Sequence, residues 1–189
     1  MRRTSHLQLG HFLAERCLKN ASKHHIAAFK FGCIEPDLNP ATYIKGSKKA
    51  RLLHGHNYPN AENCMKRIAK KLEKRGAHGV MYCYALGKLV HYIADSFTYP
   101  HNTHFTGSLK AHARYETGLN IAFLRFLSSH DGTRKTPCVH GSVFDFISRR
   151  HAEYSNAPRC ELTDCEYTVS TALSVVLSLT GLCGADASR

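Results

Sequence analysis

The stretch VHYIADSFTYPHNTHFTGSLKAHARYE, Val90 to Glu116, constrains the fold more than any other part of this chain. His91 and Asp95 stand four apart, as do His112 and Glu116. Residues at that spacing on a helix project from the same face. Pro100 lies between the two pairs and interrupts a continuous helix. The chain therefore needs two neighbouring helices, each presenting an imidazole and a carboxylate, joined by a short connection that delivers His101 to the same space. Imidazole and carboxylate suit Zn²⁺, and the lack of a cysteine partner points to a catalytic site over a structural one. One such pair is ordinarily a helix-surface interaction. Two on consecutive helices, joined by a His-bearing loop, supply ligands for more than one ion.

Histidine enrichment fits that reading: there are 14 among 189 residues, as many as Asp and Glu combined, and imidazole is the commonest metal ligand. Lys and Arg number 26 against 14 acidic residues, a net charge of +12. This favours anionic partners: phosphate esters, lipid head groups at a peripheral membrane surface, or nucleic acid. The competing explanation for much of the excess is solvated helix surface, as in KRIAKKLEKRG, Lys66 to Gly76. A hydrophobic share of 43% with 21% charged residues excludes a disordered chain. The eight cysteines form no CxxC pair, and no apolar h-region follows MRRTSHLQLGH. Thiols in a reducing compartment, and so a cytoplasmic location, are the expectation. The apolar run Thr171 to Cys183 is too short to span a bilayer and reads as a core helix.

Strand signals are nearly absent and apolar spacing is helical. We expect an all-α, single-domain multi-helix bundle over residues 1–189, with a metal cleft between helices. A first helix runs from about Ser5, its N-cap, to Asn20, with Leu7, Leu13 and Leu18 inward. A second covers Ser22 to Cys33 and stops before Pro36. Asp37 to Asn60 reads as a long loop. Asn60 caps a basic third helix ending at Gly76. His78 to Thr98 and Ser108 to Ser129 carry the two pairs. Ser142 to Asn156 and Thr163 to Cys183 complete the set. His6 at the start of the first helix, Asp37 just past the second, and His54 and His56 in the long loop are further ligand candidates.

These residues resemble the bacterial zinc-dependent phospholipase C family, which shares its fold with single-strand-specific zinc nucleases. The resemblance runs from His6 to Glu116. Its core is H-Y-x-x-D, a Pro, a His six residues after the Asp, then F-T and H-x-x-Y-E, here HYIAD, Pro100, His101, HFT and HARYE. The family is all-α with three zinc ions in a cleft. By resemblance, His91 and Asp95 hold one metal, with Asp95 bridging to a second, and His101, His112 and Glu116 hold another. SHL at Ser5 to Leu7 makes His6 a ligand. PDLNP makes Asp37 a ligand and the general base. GHNYPN favours His56 over His54, because the family's loop His is followed by an aromatic two residues on. His104 has no family role and falls to the surface or behind the ligands.

The chain also departs from the pattern. Secreted members begin with a Trp whose amine and carbonyl ligate the third zinc, whereas this chain has no Trp. Either another group, such as His11 or water, completes that site, or the site is empty or weak. The aromatic positions that recognise phosphocholine correspond to Leu38 and Leu53, so no choline cation–π pocket is evident.

The resemblance implies a phosphodiester hydrolase of the phospholipase C type with two or three Zn²⁺ ions. Paired metals would acidify a water and neutralise the phosphoryl oxygens. The alternatives are a single-strand nuclease, for which Tyr43, Tyr58 and Tyr99 are the stacking candidates, and a catalytically silent metal-binding helical protein. His151, in RRHAEYSN, reads as a distal contact to the cleft or a helix-surface residue, and at most one of Arg149 and Arg150 can face the site.

Overall fold

A computed structural model of the chain describes residues 1–39, 58–75, 79–130 and 136–181. These residues form seven α-helices and one 3₁₀ turn, with no strand among them: α1 Arg3–Cys17, α2 Lys23–Leu38, α3 Tyr58–Arg75, α4 Val80–Ser96, the turn Tyr99–His101, α5 Leu109–Ser129, α6 Val143–Ser155 and α7 Glu161–Leu179. The all-α bundle expected from the apolar spacing is the fold observed. No described helix is long and apolar enough to cross a membrane, and no disulfide joins the described cysteines.

The centre of the bundle is α4. From Leu89 to Ser96 every residue is buried, polar ones included, as befits a helix surrounded on all sides. It packs against α1, α2, α3 and α7, around a core that includes Phe29, Met65, Leu86, Ile93, Phe97 and Val176. Contact is closest with α2, where Gly32 and Gly87 face each other. A Cβ on Gly87 would collide with the Phe29 carbonyl oxygen, and one on Gly32 with that of Tyr84. Two side chains fewer at the crossing let the backbones touch.

Several helix boundaries differ from expectation. Pro36 does not end α2, which continues to Leu38. Proline in a last turn forfeits only one main-chain bond. That turn is held instead by Asn39, whose N–H donates to the Glu35 carbonyl at 3.0 Å and whose Nδ2 donates to Glu35 Oε1 at 2.8 Å. Lys88 on α4 pairs with Glu35 at 2.8 Å. Asp37 is consequently in the final turn of a helix, not in a loop beyond it. Ser5 lies inside α1, which Arg2 precedes as N-cap, and its hydroxyl donates to Asn120 Oδ1 at 2.8 Å. Asn60 likewise lies inside α3, since that helix begins at Tyr58. Leu13 and Leu18 are buried as expected, but Leu7 only partly. Ser108 and Ser142 do cap their helices, accepting from Ala111 N at 3.2 Å and Asp145 N at 3.1 Å.

Candidate metal centre

The crossing of α2 and α4 sets one side of the site. His91 follows Gly87 by one turn, so its buried ring lies against α2. Its Nδ1 donates to the Cys33 carbonyl at 2.9 Å, which leaves Nε2 as the lone-pair nitrogen. Nε2 lies 3.3 Å from Asp95 Oδ2 and 3.7 Å from Asp37 Oδ1. From α1, the buried His6 ring stacks on His91 with centroids 4.0 Å apart, and its Nε2 sits 3.2 Å from Asp95 Oδ1. His6, His91 and Asp95 thus offer ligand atoms all within 4.8 Å of one another.

A second group meets the same standard: His101 from the 3₁₀ turn, with His112 and Glu116 from α5. His101 Nε2 and His112 Nε2 approach Glu116 Oε1 at 3.1 and 3.2 Å. Asp95 touches both groups, since His101 Nδ1 is 3.7 Å from its Oδ1. The α-amino nitrogen of Met1 lies between the groups, 2.8 Å from Asp95 Oδ1, 2.9 Å from Glu116 Oε1 and 2.9 Å from His101 Nε2. His11 is engaged elsewhere, at 3.0 Å from Lys30 Nζ.

The electrostatics follow from burial and crowding. Burial, with the adjacent His91, pushes His6 down to about 3, so this imidazole stays neutral at ordinary pH, the form a metal requires. Burial opposes charge on His91 as well, but the Asp95 carboxylate outweighs it and raises its pKa. Burial also opposes ionised Asp95, yet the Met1 amine and the three imidazoles hold it well below the usual carboxylate range. Glu116 is lowered in the same way, burial being outweighed by hydrogen bonds from His101 and His112.

A cation fits this donor set. Among the described residues the buried Nδ1 atoms of His6 and His101 have no hydrogen-bond partner, an expensive condition for a polar atom. Three carboxylates, Asp37, Asp95 and Glu116, stand within 3.7 Å of imidazole nitrogens from three helices and a turn. Nitrogen and oxygen donors without a thiolate are the ligand set of a catalytic zinc site. His54 and His56 fall outside the described residues, as do Tyr43 and Leu53.

The sequence reading missed what surrounds these groups. Asn102, next to His101, donates through Nδ2 to the Ser96 and Thr98 carbonyls at 3.0 and 2.9 Å. Its Oδ1 accepts from His151 Nε2 at 2.7 Å. His151 is therefore a partly buried tether of the His101 turn. Its ring stacks on Tyr58 at 3.5 Å. The only signal for this was the unplaced histidine itself. Arg149 donates to the His140 carbonyl, and Arg150 to Ser170 Oγ, so both are occupied outside the site. His104 is exposed.

His151 carries a pH prediction. Burial, aided by His104, lowers it from 6.5 to about 4. Between those values the unfolded chain binds a proton that the folded chain refuses. The contribution of a neutral His151 is thus present above pH 6.5 and lost as pH falls towards 4. The stability gap between the wild type and His151→Gln is expected to shrink by about 1–2 kcal/mol from pH 7.5 to 4.5, after discounting for solvent screening. Urea midpoints at each pH read it out, and a gap constant with pH contradicts it.

Helices presenting imidazoles and carboxylates in two adjoining, largely buried groups form a candidate metal centre in an all-α fold. The model of the zinc-dependent phospholipase C family matches residues 5–161, and the chain belongs to that family. The matched span contains all the candidate ligands. Neither the search of curated proteins nor that of solved structures returned a match.

Proposed function

We propose that this chain is a zinc-dependent phosphodiester hydrolase of the phospholipase C type, cleaving a phospholipid or a related phosphodiester. The observation that carries the reading is the shared Asp95, in reach of both ligand groups of a chain whose family is zinc-dependent. His6, His91 and Asp95 would hold one ion, and His101, His112 and Glu116 another. Asp95 would bridge, and Asp37 and His56 would complete a set of two or three. Zinc so held supplies Lewis acidity and lowers the pKa of a bound water.

The chain's own groups do the rest. The Cys33 carbonyl keeps the His91 proton on Nδ1 and so keeps Nε2 turned to the site. Asp37 Oδ1, beside His91 Nε2, is the carboxylate placed to accept a proton from the attacking water as the new P–O bond forms. The ester P–O bond breaks and the departing alkoxide takes a proton from solvent. The basic surface gathers anionic substrate. Leu38 is 45% exposed where a choline-binding member has an aromatic, so we expect no preference for choline head groups. Of the stacking candidates a nuclease would need, the two among the described residues are already engaged. Tyr58 lies on His151, and Tyr99 packs edge-on against Phe105 and Tyr115.

The test is turnover of bis(p-nitrophenyl) phosphate, abolished by chelator and restored by zinc. Parallel assays use micellar phospholipid and single-stranded DNA. We expect two or three zinc ions per chain by mass spectrometry and hydrolysis of lipid in preference to DNA. DNA cleavage alone would transfer the site to the nucleases. Bound zinc without turnover would make the chain a silent metal-binding protein.

A further inference from the structure

Asp164 lies in the first turns of α7, outside the matched span, and is fully buried. Both of its carboxylate oxygens accept hydrogen bonds. Oδ2 accepts from the Tyr99 backbone N–H at 2.9 Å and from the Tyr115 hydroxyl at 3.0 Å. Oδ1 accepts from the Tyr154 hydroxyl at 2.7 Å. Two of these donors belong to the elements that carry the second ligand group. Tyr99 opens the 3₁₀ turn that ends at His101. Tyr115 precedes Glu116 on α5. Their rings also meet edge-on at 5.6 Å. A single oxygen therefore ties the His101 turn to the His112–Glu116 helix.

A buried carboxylate is costly, and apolar residues of similar size are often as stable. The surroundings make that cost plain, since burial outweighs three donors and raises Asp164 to about 6. A charge kept in such a place, on a helix that contributes no ligand, calls for a role beyond packing.

We propose that Asp164 is a positioning residue for the second metal group, setting the distance between His101 and the pair His112 and Glu116 through Tyr99 N–H and the Tyr115 hydroxyl. The inference rests on the zinc reading given above. It distinguishes two tyrosines that a purely structural role would not. Tyr115 links Asp164 to the ligand-bearing helix. Tyr154 makes the shorter bond but belongs to α6, which carries none of the candidate ligands.

Zinc is titrated into metal-free protein against a chromophoric chelator, and the step lost in His112→Gln marks the second group. Tyr115→Phe is expected to weaken that step about tenfold, in the range found when a residue supporting a metal ligand is removed. Tyr154→Phe is expected to leave it within about twofold while lowering the thermal midpoint at least as much. Asp164→Asn retains an oxygen for Tyr99 N–H and should fall between wild type and Asp164→Ala. Equal zinc affinity in Tyr115→Phe and wild type, or equal losses in the two tyrosine variants, overturns the proposal while leaving the metal centre intact. A wild-type chain that takes up no zinc overturns the zinc reading itself, and this inference with it. The tyrosine pair keeps the test decisive even if Asp164→Ala does not fold.

Discussion

Asp95→Asn is expected to remove bound zinc and hydrolytic activity together, with kcat/KM falling by about 10³-fold or more. Asp95 is 1% exposed and lies within hydrogen-bonding or ion-pair range of Met1 N, His6, His91 and His101. An amide keeps the shape but loses the charge, and it points N–H donors at a nitrogen that would also need an acceptor. The Asp95 carboxylate reaches the imidazoles of both ligand groups, so both are expected to weaken. Metal per chain and turnover of bis(p-nitrophenyl) phosphate are measured on the same preparation, with helical circular dichroism to show that the fold survives. Full metal with full activity in this variant would sink the assignment of Asp95 as bridge. Removing a buried carboxylate from its partners also costs stability, typically about 3–5 kcal/mol. Glu116→Gln, at a less buried position, provides the milder companion.

The second large effect comes from a residue that touches no ligand. Gly87→Ala would drive a methyl into the Phe29 carbonyl and against the Cys33 amide, atoms of a helix backbone that cannot rotate aside. Helices α2 and α4 must then separate. Overpacking of this kind costs about 1–3 kcal/mol, a fall of roughly 2–12 °C in Tm for a chain of this size. The same displacement pulls the Cys33 carbonyl from His91 Nδ1 and carries Asp37 away from Nε2. Zinc affinity should therefore fall along with the midpoint. Differential scanning calorimetry and the chelator titration measure the two. A Gly87→Ala chain with an unchanged Tm would mean that the helices do not meet there.

Much of this was legible in the sequence. The seven helices follow from apolar spacing and from serines at helix starts, because capping and amphipathic periodicity are short-range signals. The errors fell where a distant contact overrode a local one. Pro36 reads as a stop, but the turn around it is secured by Glu35, Asn39 and Lys88, and Asp37 moves from loop to helix as a result. Asn60 has the chemistry of a cap, yet α3 starts two residues earlier.

The pairing of His91 with Asp95 and of His112 with Glu116 was determined by the sequence alone, since four-residue spacing on a helix fixes which side chains share a face. The order of motifs likewise marks the chain as a member of the zinc-dependent phospholipase C family. Only the tertiary structure decided how the two pairs meet. The Gly32–Gly87 crossing sets how near α2 comes, and the Cys33 carbonyl selects the lone-pair nitrogen of His91. Asn102, held by His151, and Asp164 both anchor the His101 turn. The long-range contacts among these join residues 49 to 65 positions apart. No periodicity or motif encodes such partners, because they depend on how whole helices pack.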